Sequence, residues 1–162
     1  MTEHSAEFNR TSTLNAVKSR ALRILGSRAL SSVEVKKRLV SKGESEKDAD
    51  EVIQWLIEVG YIDDDALAKL VVNSYNSKGY GAARIRSELY KRGIDRELWE
   101  DAMEALEEEV ATAATFRLLE KKLRGSEDKE DLRRAAEMLI RRGYSYDEAS
   151  EAIRAYSGSN EE

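Results

Sequence analysis

The residue types that carry most protein chemistry are scarce in this chain of 162 residues, which has no Cys and a single His, His4, in a polar N-terminal stretch. Disulfides and thiolate ligation are excluded, and a metal site would have to be built almost wholly from carboxylates. The one dense carboxylate run is Asp63-Asp64-Asp65. Consecutive residues at a helix start point in different directions, so the run reads better as a helix cap with exposed neighbours than as a Mg²⁺ site. Gly79-Tyr80-Gly81 has the glycines of a phosphate loop but lacks Gly-Lys-Ser/Thr, and it follows a helical pattern where a P-loop requires a strand. It reads as an interhelix turn. With the lone His in a tail, no Ser/His/Asp or Ser/Lys nucleophile can be assembled. The expectation is a protein that is not an enzyme and uses neither metal nor cofactor.

Charge is the chemistry that remains. Three short segments are basic: Lys36, Lys37, Arg38 and Lys42; Arg84, Arg86, Lys91 and Arg92; Arg133, Arg134, Arg141 and Arg142. Acidic residues gather in the segments that follow them: Glu46, Asp48, Asp50 and Glu51; Glu97, Glu100, Asp101 and Glu104; Asp147, Glu148 and Glu151. The net charge of −5 argues against a simple nucleic-acid binder, but the distribution is polarised. A basic stripe of this kind suits phosphates or an acidic protein surface. Lys42, Arg92 and Arg142 directly precede a Gly, where complementing the helix macrodipole is explanation enough. Arg84, Arg86, Arg133 and Arg134 sit in early helix turns, where positive charge is mildly unfavourable, and this favours a binding role for them.

The elements that must position these charges repeat with a period of 50. Leu39-Val-Ser-Lys-Gly43, Leu89-Tyr-Lys-Arg-Gly93 and Leu139-Ile-Arg-Arg-Gly143 share a Leu-x-x-x-Gly pattern. Each Gly is followed two residues later by a capping type, Ser45, Asp95 or Ser145. Gly marks a helix C-cap and the capping residue the next N-terminus. The apolar positions beyond superpose as well: Ala49, Val52, Ile53 and Leu56; Trp99, Ala102, Met103 and Leu106; Ala149, Ala152, Ile153 and Tyr156. Each set is one stripe on a helix. Upstream lies a shorter helix entered at Ser31, Gly81 or Asp131, with Val35 and Leu39, Ile85 and Leu89, and Ala135 and Leu139 facing inward. A first helix precedes each: Leu14, Val17, Ala21 and Leu25; Leu67, Leu70, Val71 and Tyr75; Phe116, Leu119 and Leu123.

The reading is therefore all-α, three tandem three-helix repeats stacked into an elongated, curved array, since one such unit buries too little surface alone. Proline is absent, which agrees with a helical chain. The expected boundaries are a disordered tail over 1–13, repeats over 14–63, 64–107 and 108–156, and a disordered tail over 157–162. Whether two helices run together near Val110 and Thr112 is left open, because no breaker lies between Leu98 and Arg124. No stretch reaches the roughly 20 apolar residues that cross a bilayer, so a cytoplasmic protein without membrane contact is expected.

Three segments resemble the RecX family of recombination regulators: Gly60-Tyr-Ile-Asp-Asp-Asp-Ala-Leu-Ala68, Lys78-Gly-Tyr-Gly-Ala-Ala-Arg-Ile-Arg-Ser-Glu-Leu-Tyr-Lys-Arg-Gly-Ile94 and Leu139-Ile-Arg-Arg-Gly-Tyr-Ser-Tyr-Asp147. The likeness extends over roughly Ala16 to Tyr156, with Leu67 standing where many members have an aromatic. It implies three three-helix repeats and binding in the groove of the RecA nucleoprotein filament. With that go suppression of ATP hydrolysis, strand exchange and repressor co-cleavage, and no catalytic residues. The sequence pI of about 5.2 turns the expectation towards the protein part of the filament, with single-stranded DNA contacted there and bare DNA bound weakly by a monomer. Two other readings compete: a helix-turn-helix-like DNA-binding or transcription factor, and a helical scaffold for an unrelated acidic protein.

Overall fold

The Leu-x-x-x-Gly segments end helices through a left-handed residue. Gly43, Gly93 and Gly143 have φ of 97°, 67° and 98°. Around the first, the Gly43 amide donates to the Val40 carbonyl at 3.0 Å and the Glu44 amide to the Leu39 carbonyl at 3.1 Å. The same pair recurs around Gly143, from Gly143 to Ile140 at 3.0 Å and from Tyr144 to Leu139 at 3.2 Å. Both are Schellman caps, which satisfy the last carbonyls of a helix and turn the chain within two residues. The next helix then starts on a hydroxyl. Ser45 Oγ accepts from the Asp48 amide at 3.1 Å, and Ser145 and Glu148 cap one another reciprocally.

The computed structural model describes residues 3–107 and 113–159, and every regular element among them is an α-helix. In chain order these are α1 (Glu3–Leu25), α2 (Ser32–Ser41), α3 (Glu46–Glu58), α4 (Asp64–Ser77), α5 (Ala82–Lys91), α6 (Arg96–Glu107), α7 (Ala113–Leu123), α8 (Lys129–Arg141) and α9 (Tyr146–Ser159). The chain forms two compact units, one of Met1–Leu67 with Arg92–Asp95, the other of Ala68–Lys91 with Arg96–Glu162.

In the first unit α1, α2 and α3 pack on one another around Val17, Ala21, Leu30, Val35, Leu39, Ala49, Val52, Leu56 and Ile62. In the second, α7, α8 and α9 close around Leu119, Leu123, Ala135, Leu139, Tyr144, Ala149, Ala152 and Tyr156. The second helices bury the pairs read from the sequence, Val35 and Leu39 matching Ile85 and Leu89, and Ala135 and Leu139, all nearly inaccessible; on the third helices Ile53, Ala102, Leu106 and Ile153 are only partly buried, the rest of each stripe fully. One buried polar contact joins α7 to the turn after α8, where Thr115 Oγ1 and Tyr144 Oη lie 2.9 Å apart. Burial pushes the Tyr144 hydroxyl above its usual range, against the opposing hydrogen bond from Thr115.

Several expectations need correction. Residues 3–13, expected as a disordered tail, are the first turns of α1: no Gly or Pro interrupts Glu3–Leu25, and Arg10 pairs with Glu51 of α3 at 2.7 Å and with Asp48 at 4.0 Å. Ser157 to Ser159, assigned to the other tail, belong to α9. Helix α8 is entered at Asp128, whose side chain accepts from the Glu130 amide, and Asp131 lies inside it. Leu70, expected inward, is 59% exposed, because the buried stripe of α4 runs through Leu67, Ala68, Val71 and Val72. The possible junction near Val110 and Thr112 lies outside the described residues.

Candidate partner-binding surface

Two of the three carboxylates at 63–65 are spent on structure. Asp63 Oδ1 accepts from the Ala66 amide at 3.0 Å as an N-cap. Asp64 accepts from the Ser32 amide at 2.9 Å and the Ser32 hydroxyl at 2.5 Å, tying the start of α4 to the start of α2. Among the described residues no group of three or more acidic or His side chains is arranged to hold a metal ion.

The twelve cations predicted as contacts divide into two kinds. Arg92 is engaged inside the first unit: its guanidinium donates to the Ala29 carbonyl at 2.8 Å and to Glu34 at 3.1 and 3.4 Å, while its own carbonyl accepts from the Ser31 hydroxyl at 2.5 Å. The turn that follows α5 thus sits on the N-terminus of α2. Burial tends to raise the Glu34 carboxyl, but the Ser31 amide and the Arg92 guanidinium outweigh it and hold the group below the usual Glu range. Arg142 repeats the arrangement in the second unit. Its guanidinium donates to the Lys78 carbonyl at 3.1 Å, and the Gly81 amide donates to the Arg142 carbonyl at 2.8 Å. It also lies 4.9 Å from the centre of the Tyr80 ring, itself 5.3 Å from that of Tyr75. Lys42, the third of these pre-Gly cations, is exposed, and nothing lies within 4 Å of where a Gly43 side chain would begin.

Of the remainder, Lys36 bonds Asp50 of α3 at 2.7 Å, a contact that raises its ammonium pKa. Arg133 and Arg134 make short-range pairs along α8 with Glu137, Glu130 and Asp131, of the exposed kind that adds little stability. Arg84 lies 5.9 Å from the Tyr80 ring centre, and Arg86 is exposed. Lys37, Arg38, Lys42, Lys91 and Arg141 have no carboxylate partner among the described residues.

Two further features escaped the sequence reading. Each basic helix shows solvent one apolar side chain at the same register, Val40, Tyr90 or Ile140, exposed by 36, 81 and 42%. The signal was the second position of Leu-x-x-x-Gly, which never carries charge. In the first unit, Arg20 and Arg23 of α1 stand beside Arg38 of α2 and Lys42 at its C-cap. Their spacing of three residues on one helix was the available sign. An apolar side chain with cations around it is the composition of a protein-binding patch, where aromatic residues and Arg supply contact area and the charges set orientation.

Comparison with known proteins places the fold in a family. Models described as the first, second and third three-helix domains of RecX match residues 18–56, 63–103 and 107–153. The Regulatory protein RecX of Vibrio parahaemolyticus is 31% identical over 138 residues, covering 84% of this chain and 88% of that protein. The Regulatory protein RecX of Shigella dysenteriae is 43% identical over 94 residues, a match spanning 52% of this chain and only 57% of its relative. Among solved structures, the crystal structure of RecX from Lactobacillus salivarius superposes with a TM-score of 0.78 at 26% identity, over 91% of this chain and 98% of that one. The three-helix domains in their order, and the near full-length match to the Vibrio relative, show that the chain belongs to the RecX family of regulatory proteins.

Proposed function

We propose that this protein regulates RecA, mainly as an inhibitor, by binding in the groove of the RecA nucleoprotein filament. Bound there it suppresses ATP hydrolysis, strand exchange and co-protease activity in recombination and DNA repair. It acts in the cytoplasm as a monomer and by binding alone, without catalysis. Family membership supports the partner. The observation that carries the mode of binding is the recurring exposed apolar residue, Val40, Tyr90 or Ile140, next to cations without carboxylate partners, Lys91 and Arg141 above all. That pairing favours a protein surface over bare DNA, which would select charge without the apolar tip.

The helix-turn-helix reading is less well supported. It needs the N-terminal residues of a recognition helix free to reach base edges. The N-terminus of α2 is covered by the Arg92 turn and that of α5 by the Arg142 turn.

Co-sedimentation with RecA filaments on single-stranded DNA tests the reading. The parent chain should pellet with the filament. The double variant Lys91→Glu, Arg141→Glu should lose at least tenfold in affinity while keeping its helical circular dichroism. A parent chain that stays in the supernatant overturns the function, and a double variant that pellets as well as the parent overturns the surface.

A further inference from the structure

Two of the three Leu-x-x-x-Gly turns seat on the N-terminus of a second helix in the same manner. In the first unit the Arg92 carbonyl accepts from the Ser31 hydroxyl at 2.5 Å, and the Arg92 guanidinium reaches back to the Ala29 carbonyl at 2.8 Å. In the second, the Arg142 and Gly143 carbonyls accept from the Gly81 and Ala83 amides at 2.8 and 3.2 Å, and the Arg142 guanidinium reaches the Lys78 carbonyl at 3.1 Å. Carbonyls left over at one helix C-terminus thus meet donors at another helix N-terminus, where the macrodipoles have opposite sign. The cation before each Gly then fastens the segment ahead of the receiving helix.

One turn and one helix start stand outside this scheme. The turn after α2 has the same left-handed Gly and the same Schellman bonds, yet Lys42 and Gly43 are exposed and nothing lies within 4 Å of a Cβ placed on Gly43. Lys42 and the neighbouring Lys37 and Arg38 have no carboxylate partner among the described residues, and Glu44 is ion-paired with Arg20. The entry of α8 is bonded only by its own neighbours among the described residues. The Ser126 hydroxyl donates to Asp131 at 2.6 Å, the Asp128 amide to Ser126 Oγ at 3.3 Å and the Glu130 amide to Asp128 at 3.3 Å. Helix α8 begins at Lys129, three residues before the position that matches Ser32 of α2 and Ala82 of α5, and the added turn brings in Glu127 and Asp128. Arg134 pairs with Glu130 and Asp131, which leaves the exposed Glu127 and Asp128 without a cation among the described residues. A basic turn without a seat and an acidic seat without a turn therefore lie on the same chain.

We propose that this protein associates with a second copy of itself, the Lys42–Gly43 turn of one chain seating on the acidic entry of α8 of the next. Opposite charge selects the pairing, with Lys42 set against Glu127 and Asp128. The C-terminal carbonyls of α2 meet the first amides of α8, as the other two turns meet their helices within the chain. The two patches differ, so the contact is heterologous, and each bound pair leaves one turn and one entry open for a further copy. One turn on one helix end buries far less than the roughly 1,200 Å² of a stable interface, so dilute chains stay monomeric and copies associate where they are concentrated. The association goes beyond the RecA reading and does not depend on it.

The chain has no Cys, so introduced single cysteines report the contact cleanly. Ser41→Cys places a thiol on the open turn and Lys129→Cys one on the α8 entry, both at exposed positions whose replacement keeps Lys42, Glu127 and Asp128. An equimolar mixture of the two full-length chains is treated with a short bismaleimide, and the mixed dimer is quantified by mass spectrometry. Its yield should exceed at least tenfold that of Ser41→Cys mixed with a control chain carrying Asn73→Cys, an exposed position on α4. Adding Lys42→Glu to the first chain should abolish the excess, and adding Glu127→Lys to the second should restore it, with the helical circular dichroism of every variant unchanged. A mixed yield no greater than the control's overturns the proposal, as does an excess that Lys42→Glu leaves intact or a loss that Glu127→Lys fails to restore. So does a preference of Ser41→Cys chains for one another, since like turns would then meet about a two-fold axis. No RecA is present, so neither result bears on the RecA reading.

Discussion

Glu34 does two jobs with one carboxylate. It caps the start of α2 by accepting from the Ser31 amide at 2.9 Å, and it anchors Arg92 from a turn 58 residues away. Its folded pKa lies below the ordinary value of 4.5. The stability it supplies is therefore complete above that ordinary value and is lost as the pH falls through the lower folded one. The variant Glu34→Gln should be less stable at neutral pH and should lose less on acidification, so that thermal melts of variant and parent converge towards pH 3. Parallel acid limbs would show that Arg92 is held by the Ala29 carbonyl alone. The Glu34 cap could be read from Ser31 and a Glu three residues on, since capping boxes are local. Its pairing with Arg92 could not, because no periodicity relates residues so far apart in sequence.

Each Leu-x-x-x-Gly turn ends a helix, and among the described residues the glycines of two of the three also press against another helix. A Cβ added at Gly93 would lie 2.7 Å from Val33 Cγ1, and one at Gly143 would lie 2.5 Å from the Arg84 backbone nitrogen; at Gly43 it would meet nothing within 4 Å. All three have left-handed φ, which costs an L-residue about 1–2 kcal/mol. Gly43→Ala should therefore lose only about that much. Gly93→Ala should lose more, roughly 2–3 kcal/mol, as Val33 gives way, and Gly143→Ala most, since a backbone atom cannot move aside. Urea unfolding midpoints in that order are the expected result; three equal losses would mean that the turns do not dock. The sequence showed the period of 50, the C-caps and the buried stripes of the second and third helices, because these follow from local spacing. It hid the docking of the Gly93 and Gly143 turns, which turned Arg92 and Arg142 from candidate contacts into internal clasps. It also hid the reach of α1, whose early turns have few apolar residues and are held partly by Arg10 against Glu51.

At the scale of the whole molecule, a net charge of −5 coexists with basic second helices. The structure moderates that polarity without removing it. Lys36 is neutralised by Asp50, and Arg133 and Arg134 by their helical neighbours. Lys37, Lys91 and Arg141 remain exposed, and the cations Arg23, Arg38 and Lys42 gather in the first repeat. The candidate surface was thus legible as a set of helices but not as a set of side chains, since which cations stay available depends on tertiary pairing. The most direct measurement is the steady-state ATPase rate of RecA on single-stranded DNA as the purified chain is added. A saturable fall in rate, abolished by Lys91→Glu with Arg141→Glu, is predicted; a rate unchanged by saturating amounts of the parent chain would contradict regulation of the filament.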